Sequence, residues 1–175
     1  MSNRQASNVR IGLIKPKSPT NVGAVMRAAG CFQAIEVLYT GSRYDRAAKF
    51  STDTRKDNQA IALTGVDNML DALPTDAHVV CIELVEGAIP LPDYPHPDNV
   101  IYIFGPEDGT IPQELIDRAD DVVYIPTIGS LNLAAVVNVV LYDRLSKSDL
   151  SHTGDDLIRQ SRDTNNRVKL NSAPK

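Results

Sequence analysis

No stretch of the 175-residue chain approaches the ~18 uninterrupted apolar residues that read as a membrane helix. The N-terminus is polar and lacks the apolar core of a secretion signal, so a cytoplasmic protein with no membrane partner is expected. Cysteine is scarce: Cys31 and Cys81 each stand inside an apolar segment, which predicts two buried free thiols and no disulfide. His78, His96 and His152 sit in unrelated contexts, and no His or Cys cluster has metal-ligand spacing. Neither a metal nor a histidine base is indicated. A GxGxxG fingerprint is missing, as is a GxxxxGK loop followed by Ser or Thr, which removes the usual phosphate cradles of dinucleotide and P-loop proteins.

What is present is unevenly distributed. A net charge of −4 argues mildly against nucleic acid, yet residues 1–56 carry ten basic against three acidic side chains, while residues 57–121 carry one against fourteen. The N-terminal third is therefore a candidate polyanion surface, with a solvated basic face as the plain alternative.

Apolar runs at Val9–Ile14, Ile35–Tyr39, His78–Leu84, Val100–Phe104 and Val122–Ile125 read as strands. Between them the pattern predicts a helix over Asn21–Cys31 capped by Thr20 or Asn21, and a short helix over Val66–Leu73 stopped by Pro74. Another short helix should cover Pro112–Ala119, and Leu91–Pro97, with three of its seven residues proline, reads as a connector. Such alternation implies an α/β domain with a mostly parallel sheet flanked by helices, and ligands at the carboxyl ends of its strands. One domain over 1–147 is expected, followed by a polar tail, 148–175, that is flexible or only partly helical.

The last helix, in LNLAAVVNVVLYDRL, is apolar on most faces and rich in β-branched valine, so tertiary packing must hold it on more than one side. A subunit interface is a natural second cover, and Asn138 among the valines would need a partner there or a water.

Three polar constellations follow strands. Asn21 and Arg27 lie in the first helix, Gly105-Pro106-Glu107 follows the Val100–Phe104 run, and Ser130-Leu131-Asn132 opens the valine-rich helix. Singly, each has an ordinary explanation: an N-cap with a surface arginine, an acidic turn, a second N-cap. Glu83 and Glu86 read as a solvated pair at a strand end. In order, as PTNVGAVMRAAGCF, VIYIFGPEDGTIPQEL and VYIPTIGSLNLAAVVNVVLYDRL, the three segments resemble the motifs of SpoU-type (TrmH-like) RNA 2′-O-ribose methyltransferases of the SPOUT superfamily.

That resemblance, spanning Val9 to about Leu145, implies a SPOUT-type α/β fold with a C-terminal trefoil knot, and a homodimer through the last helix. It implies S-adenosyl-L-methionine as cofactor, leaving as S-adenosyl-L-homocysteine, held by Leu84, Gly105, Ile125, Pro126, Ile128, Gly129, Ser130, Leu131 and Leu133, largely through backbone groups. Carried across residue by residue, Asn21, Arg27, Glu107, Ser130 and Asn132 are the catalytic positions. A guanidinium is a poor base, so Arg27 is expected to hold an RNA phosphate and stabilise the developing 2′-alkoxide. Glu107 and Asn132 would orient Arg27 and its loop, while Asn21 and Ser130 fix neighbouring backbone. Ala134 and Asp143 depart from the family's frequent Ser and Glu. The chain resembles a minimal form, similar in size to members that modify the tRNA wobble ribose, which places tRNA ahead of rRNA as substrate. Lys15, Lys17, Arg43, Arg46, Lys49, Arg55 and Lys56 are expected to contact RNA. Two other readings stay open: a non-catalytic RNA-binding module that kept the fold, and methylation of a base nitrogen.

Overall fold

The computed structural model describes residues 8–48, 61–148 and 153–170. Among the described residues, seven strands lie in one sheet: β1 (Asn8–Leu13), β2 (Glu36–Thr40), β3 (Ala62–Val66), β4 (His78–Ile82), β5 (Ile89–Pro90), β6 (Asn99–Phe104) and β7 (Asp121–Tyr124). Their order is β3-β2-β1-β6-β4-β7-β5, and every pairing is parallel. The helices are α1 (Pro19–Cys31), α2 (Arg43–Ala48), α3 (Gln113–Arg118), α4 (Leu133–Ser146) and α5 (Asp155–Ser161).

The inner strands β1, β6 and β4 read as continuous apolar runs because both of their faces are covered. Alternate side chains separate into two cores. Val9, Ile11, Val100, Tyr102 and Phe104 face α1 and α4, meeting Val22, Val25, Val137, Val140 and Leu141. Ile101, Ile103, Val79 and Cys81 face the other way, onto Met69, Ile111 and Leu115. The segment after β1 thus crosses one face of the sheet and the segment after β6 the other. Their carboxyl ends, adjacent in the sheet, diverge and open a crevice where such folds bind ligands.

Several local expectations are corrected. Ser18 caps α1, its Oγ accepting from the Asn21 amide, and neither Thr20 nor Asn21 does so. Val66–Leu73 is not a helix: Val66 ends the unanticipated strand β3, and 67–73 form turns. The Asn68 side chain accepts from the Leu70 amide at 2.9 Å, and the Ala72 and Leu73 amides bond three residues back. Asn68 therefore offers the backbone a turn in place of a helix, while Met69 plugs the second core. Cys81 is buried as expected, but Cys31, at the end of α1, is exposed. The Leu91–Pro97 connector begins with a 3₁₀ turn over Leu91–Asp93.

In α4, Leu133, Ala134, Val137, Val140 and Leu141 are buried, whereas Tyr142 is 64% exposed and Val139 and Leu145 about two-fifths exposed. The described residues cover one side of the helix only. Asn138 satisfies itself by donating to the Ala134 carbonyl at 2.8 Å, so its partner lies one turn back in its own helix. The C-terminal half of α4 is fastened from beneath. Buried His96 meets the Tyr102 hydroxyl through Nδ1 (2.6 Å) and Asp143 through Nε2 (2.8 Å). Lys147 bonds Asp143 at 2.6 Å and also the Leu91 and Tyr94 carbonyls.

Candidate active site

Three loops meet at the crevice, and a directed chain of side-chain hydrogen bonds ties them together. Glu107, after β6, accepts from the backbone amides of Lys17 (2.9 Å) and Ser18 (3.2 Å), fixing the loop that leads into α1. It also accepts from Asn21 Nδ2 at 3.0 Å. An ionised carboxylate can only accept, so Asn21 must turn its amino group to Glu107 and its carbonyl oxygen outward. That oxygen accepts from Asn132 Nδ2 at 3.0 Å, and the Asn132 oxygen in turn caps α4 by accepting from the Ala134 and Ala135 amides. The run of donors thus leads from the positive end of α4 to one negative charge. Partial burial alone would raise the Glu107 pKa. Hydrogen bonds from Asn21 and from the backbone amides of Glu107, Lys17 and Ser18 outweigh it and hold the group below its ordinary value.

Beside this chain lies an open cleft of about 160 Å³. Seven of the nine expected cofactor residues line it: Leu84, Gly105, Ile125, Gly129, Ser130, Leu131 and Leu133. Pro126 and Ile128 do not; both are exposed, and Ile128 points wholly into solvent. Ile82, Phe104, Tyr124 and Val136 add apolar wall that the strand reading left unassigned. Gly129 sits at φ +90°, a backbone conformation that favours glycine.

Glu83 also lines the cleft and corrects the solvated-pair reading. Its Oε1 accepts from the Leu84 amide (2.8 Å) and its Oε2 from the Ile111 amide (3.1 Å). A Cβ on Gly105 would stand 3.2 Å from that Oε2, a tighter contact than side chains usually make, so glycine eases the approach of the carboxylate. A carboxylate directly following an apolar strand was the available signal. Glu83→Ala strands both amides and is expected to cost about 1–3 kcal/mol of stability and to weaken ligand binding in the cleft. Urea unfolding and calorimetry check the two effects.

Two expected roles change. Arg27 does not line the cleft, and neither Glu107 nor Asn132 hydrogen-bonds it; among the described residues its guanidinium has no hydrogen-bond or ion-pair partner. It projects from the exposed side of α1, in line with Thr20, Gly23 and Ala24. Asn21 bonds side chains rather than backbone, and Ser130 lines the cleft exposed, with no hydrogen bond among the described residues. Of the expected RNA contacts, Lys15 and Lys17 lie in the loop between β1 and α1, and Arg43 and Arg46 in α2, with Arg43 on Asp108; Lys49, Arg55 and Lys56 lie outside the described residues. No group of three or more His, Cys, Asp or Glu among the described residues could hold a metal ion, and no described helix is long and apolar enough to cross a membrane.

Residues 8–142 match the model of the SpoU rRNA Methylase family. The chain belongs to that family. It is 28% identical over 145 residues to the 23S rRNA (guanosine-2′-O-)-methyltransferase RlmB of Acinetobacter baylyi, an alignment covering 76% of this chain and 57% of that protein. The chain thus spans little more than half the length of this curated SpoU relative. A structure solved for the 2-OH methylation of C/U34 on tRNA is 25% identical with a TM-score of 0.64, covering 81% of this chain and 97% of the other. The AdoMet-bound rRNA methyltransferase of Sinorhizobium meliloti, 20% identical with a TM-score of 0.61 and covering 81% and 57%, shares the SpoU fold.

Proposed function

We propose that this SpoU protein transfers a methyl group from S-adenosyl-L-methionine to a ribose 2′-hydroxyl of RNA, and that tRNA, at its wobble nucleotide, is the substrate. The chain Glu107–Asn21–Asn132 carries the reading, because it locks the three motif segments together at the rim of one cleft. The cleft's make-up suits the cofactor: apolar side chains for a purine, Gly105 and Gly129 for close backbone approach, and the carboxylates Glu83 and Glu107 toward a cationic ligand. When bound, the cofactor supplies an electrophilic methyl on a positively charged sulfur. The protein's task is then to bring the 2′-oxygen in line at ~3–3.5 Å and to favour its loss of a proton. In this reading Arg27 steadies the developing negative charge and an adjoining phosphate, while Glu107, Asn21 and Asn132 keep the loops rigid.

The likeness to the tRNA C/U34 protein, 97% of which is covered, favours tRNA; the Acinetobacter relative makes rRNA the second reading. We infer a homodimer whose interface includes Val139, Tyr142 and Leu145, the uncovered side of α4. The protein is expected to work in the cytoplasm, with residues 1–147 as one knotted domain and the remainder as a polar tail. Purified protein, labelled S-adenosylmethionine and total tRNA from cells lacking the gene should yield a 2′-O-methylnucleoside after digestion. Label on a base would replace ribose chemistry with base chemistry. Absence of both transfer and cofactor binding would leave a non-catalytic module, and label on rRNA alone would move the substrate.

A further inference from the structure

The rim beside Glu107 carries a second polar assembly that the methyl-transfer reading does not use. Arg43 forks onto Asp108, NH1 to Oδ1 at 2.8 Å and NH2 to Oδ2 at 2.7 Å. Lys17 Nζ approaches the same carboxylate at 3.8 Å from another segment. The backbone segments that carry the two cations are held by bonds that do not involve Asp108. Lys17's own amide is bound by Glu107. α2, which carries Arg43, is anchored by the Tyr39 hydroxyl donating to Asp45 at 2.5 Å and by Tyr44 lying edge-on to Tyr39, ring centroids 5.1 Å apart. All three charged groups remain reachable, Lys17 at 62% and Asp108 at 49% side-chain exposure and Arg43 at about a third. A fixed fork plus a second cation is the geometry that recognises a tetrahedral phosphate as readily as a carboxylate. Because the existing pair is exposed, an incoming anion can replace it at little cost.

We propose that Lys17 and Arg43 form a seat for one backbone phosphate of the substrate RNA, and that Asp108 occupies the seat until RNA displaces it. The proposal rests on the RNA reading above. It makes Asp108 a competitor that holds the two cations in place while setting a threshold for weakly bound polyanions. Glu107, next in the chain, ties Lys17's backbone to Asn21, so a phosphate in the seat would lie at a fixed offset from the Asn21–Asn132 side of the cleft.

The test is a mutant cycle on the full-length protein, read as the dissociation constant for end-labelled total tRNA from cells lacking the gene, at one fixed salt concentration. Asp108→Asn should tighten binding about two- to fivefold, the range set by breaking one exposed ion pair. Lys17→Ala with Arg43→Ala should weaken binding. In that double-variant background the gain from Asp108→Asn should vanish, because the competitor then has nothing to mask. Asp108→Asn weakening binding would overturn the seat. So would an equal gain with and without Lys17 and Arg43, which would reduce the effect to removal of one negative charge near RNA. If wild-type protein binds no RNA at all, the functional reading fails and the seat falls with it. Thermal unfolding of each variant identifies any that has lost its fold, and charge-conserving Arg43→Lys, which keeps the cation and loses the fork, then serves in its place and should recover only part of the affinity.

Discussion

Arg27→Ala should lower turnover by roughly 10²- to 10⁴-fold, the span of a positioned catalytic group, while S-adenosylmethionine still binds. The structure makes this variant clean to interpret. Arg27 stands on the open side of α1, takes no part in either core, and has no hydrogen-bonded or ion-paired partner among the described residues to strand when it is shortened. Stability should therefore be nearly unchanged, and a slow variant would report chemistry or substrate placement alone. Arg27→Lys keeps a charge but not the planar fork, so it should recover only part of the rate. Single-turnover rates at saturating RNA separate the two contributions: loss in the maximal rate locates Arg27 at the reacting oxygen, whereas loss confined to half-saturation makes it an anchor for phosphate. An unaltered rate in Arg27→Ala would remove Arg27 from the mechanism.

The largest stability effect is expected at His96. Its imidazole, 4% exposed, joins the Tyr102 hydroxyl to the Asp143 carboxylate, and Asp143 is further held by Lys147. His96→Ala would leave the buried Tyr102 hydroxyl and the part-buried Asp143 carboxylate each short of a bond and open a void beneath α4. Each stranded group costs about 1–3 kcal/mol, so a loss of roughly 3–5 kcal/mol and a midpoint some 10 °C lower are expected for a chain of this size. Burial holds the His96 pKa below its ordinary 6.5, although the Asp143 hydrogen bond pulls the other way. The native state therefore binds fewer protons here than the unfolded state. The stability due to keeping His96 neutral is fully present above about pH 6.5 and is lost as pH falls through the depressed native value. Asp143, also depressed, adds a similar loss only under much stronger acid. Urea unfolding between pH 7.5 and 5 should show wild-type stability declining and the decline flattened in His96→Ala; an unchanged slope would mean the imidazole is not the group responsible.

The parallel sheet was readable because its inner strands are long, apolar and bounded, the form that burial on both faces imposes. β3 escaped notice: ALTGV mixes small and polar residues on an edge whose positions are mostly exposed. The helix expected at Val66–Leu73 failed because apolar periodicity is silent on whether Asn68 will bond its own backbone or leave it free to coil. At the site, motif order singled out Asn21, Glu107 and Asn132, which the structure joins by hydrogen bonds, but it expected other contacts for them. Which polar group faces which is decided by loop geometry across the sheet, and Glu107 meets Asn21 and the loop before it, not Arg27. Glu83 was set aside as solvated because a terminal strand carboxylate gives no hint of the distant Ile111 amide that it binds.

Glu107 reaches back 86 residues to Asn21, and Asn21 forward 111 residues to Asn132. Links of such separation close late, since each must first overcome the entropy of a long loop. The rim of the cleft therefore cannot assemble on a chain still emerging from the ribosome; it awaits the arrival of α4. A partly synthesised or truncated product lacking residues beyond 130 would have Asn21 and Glu107 but no third member to orient them. Ordering of the rim thus waits on the docking of α4, and the same three side chains register that this helix has arrived.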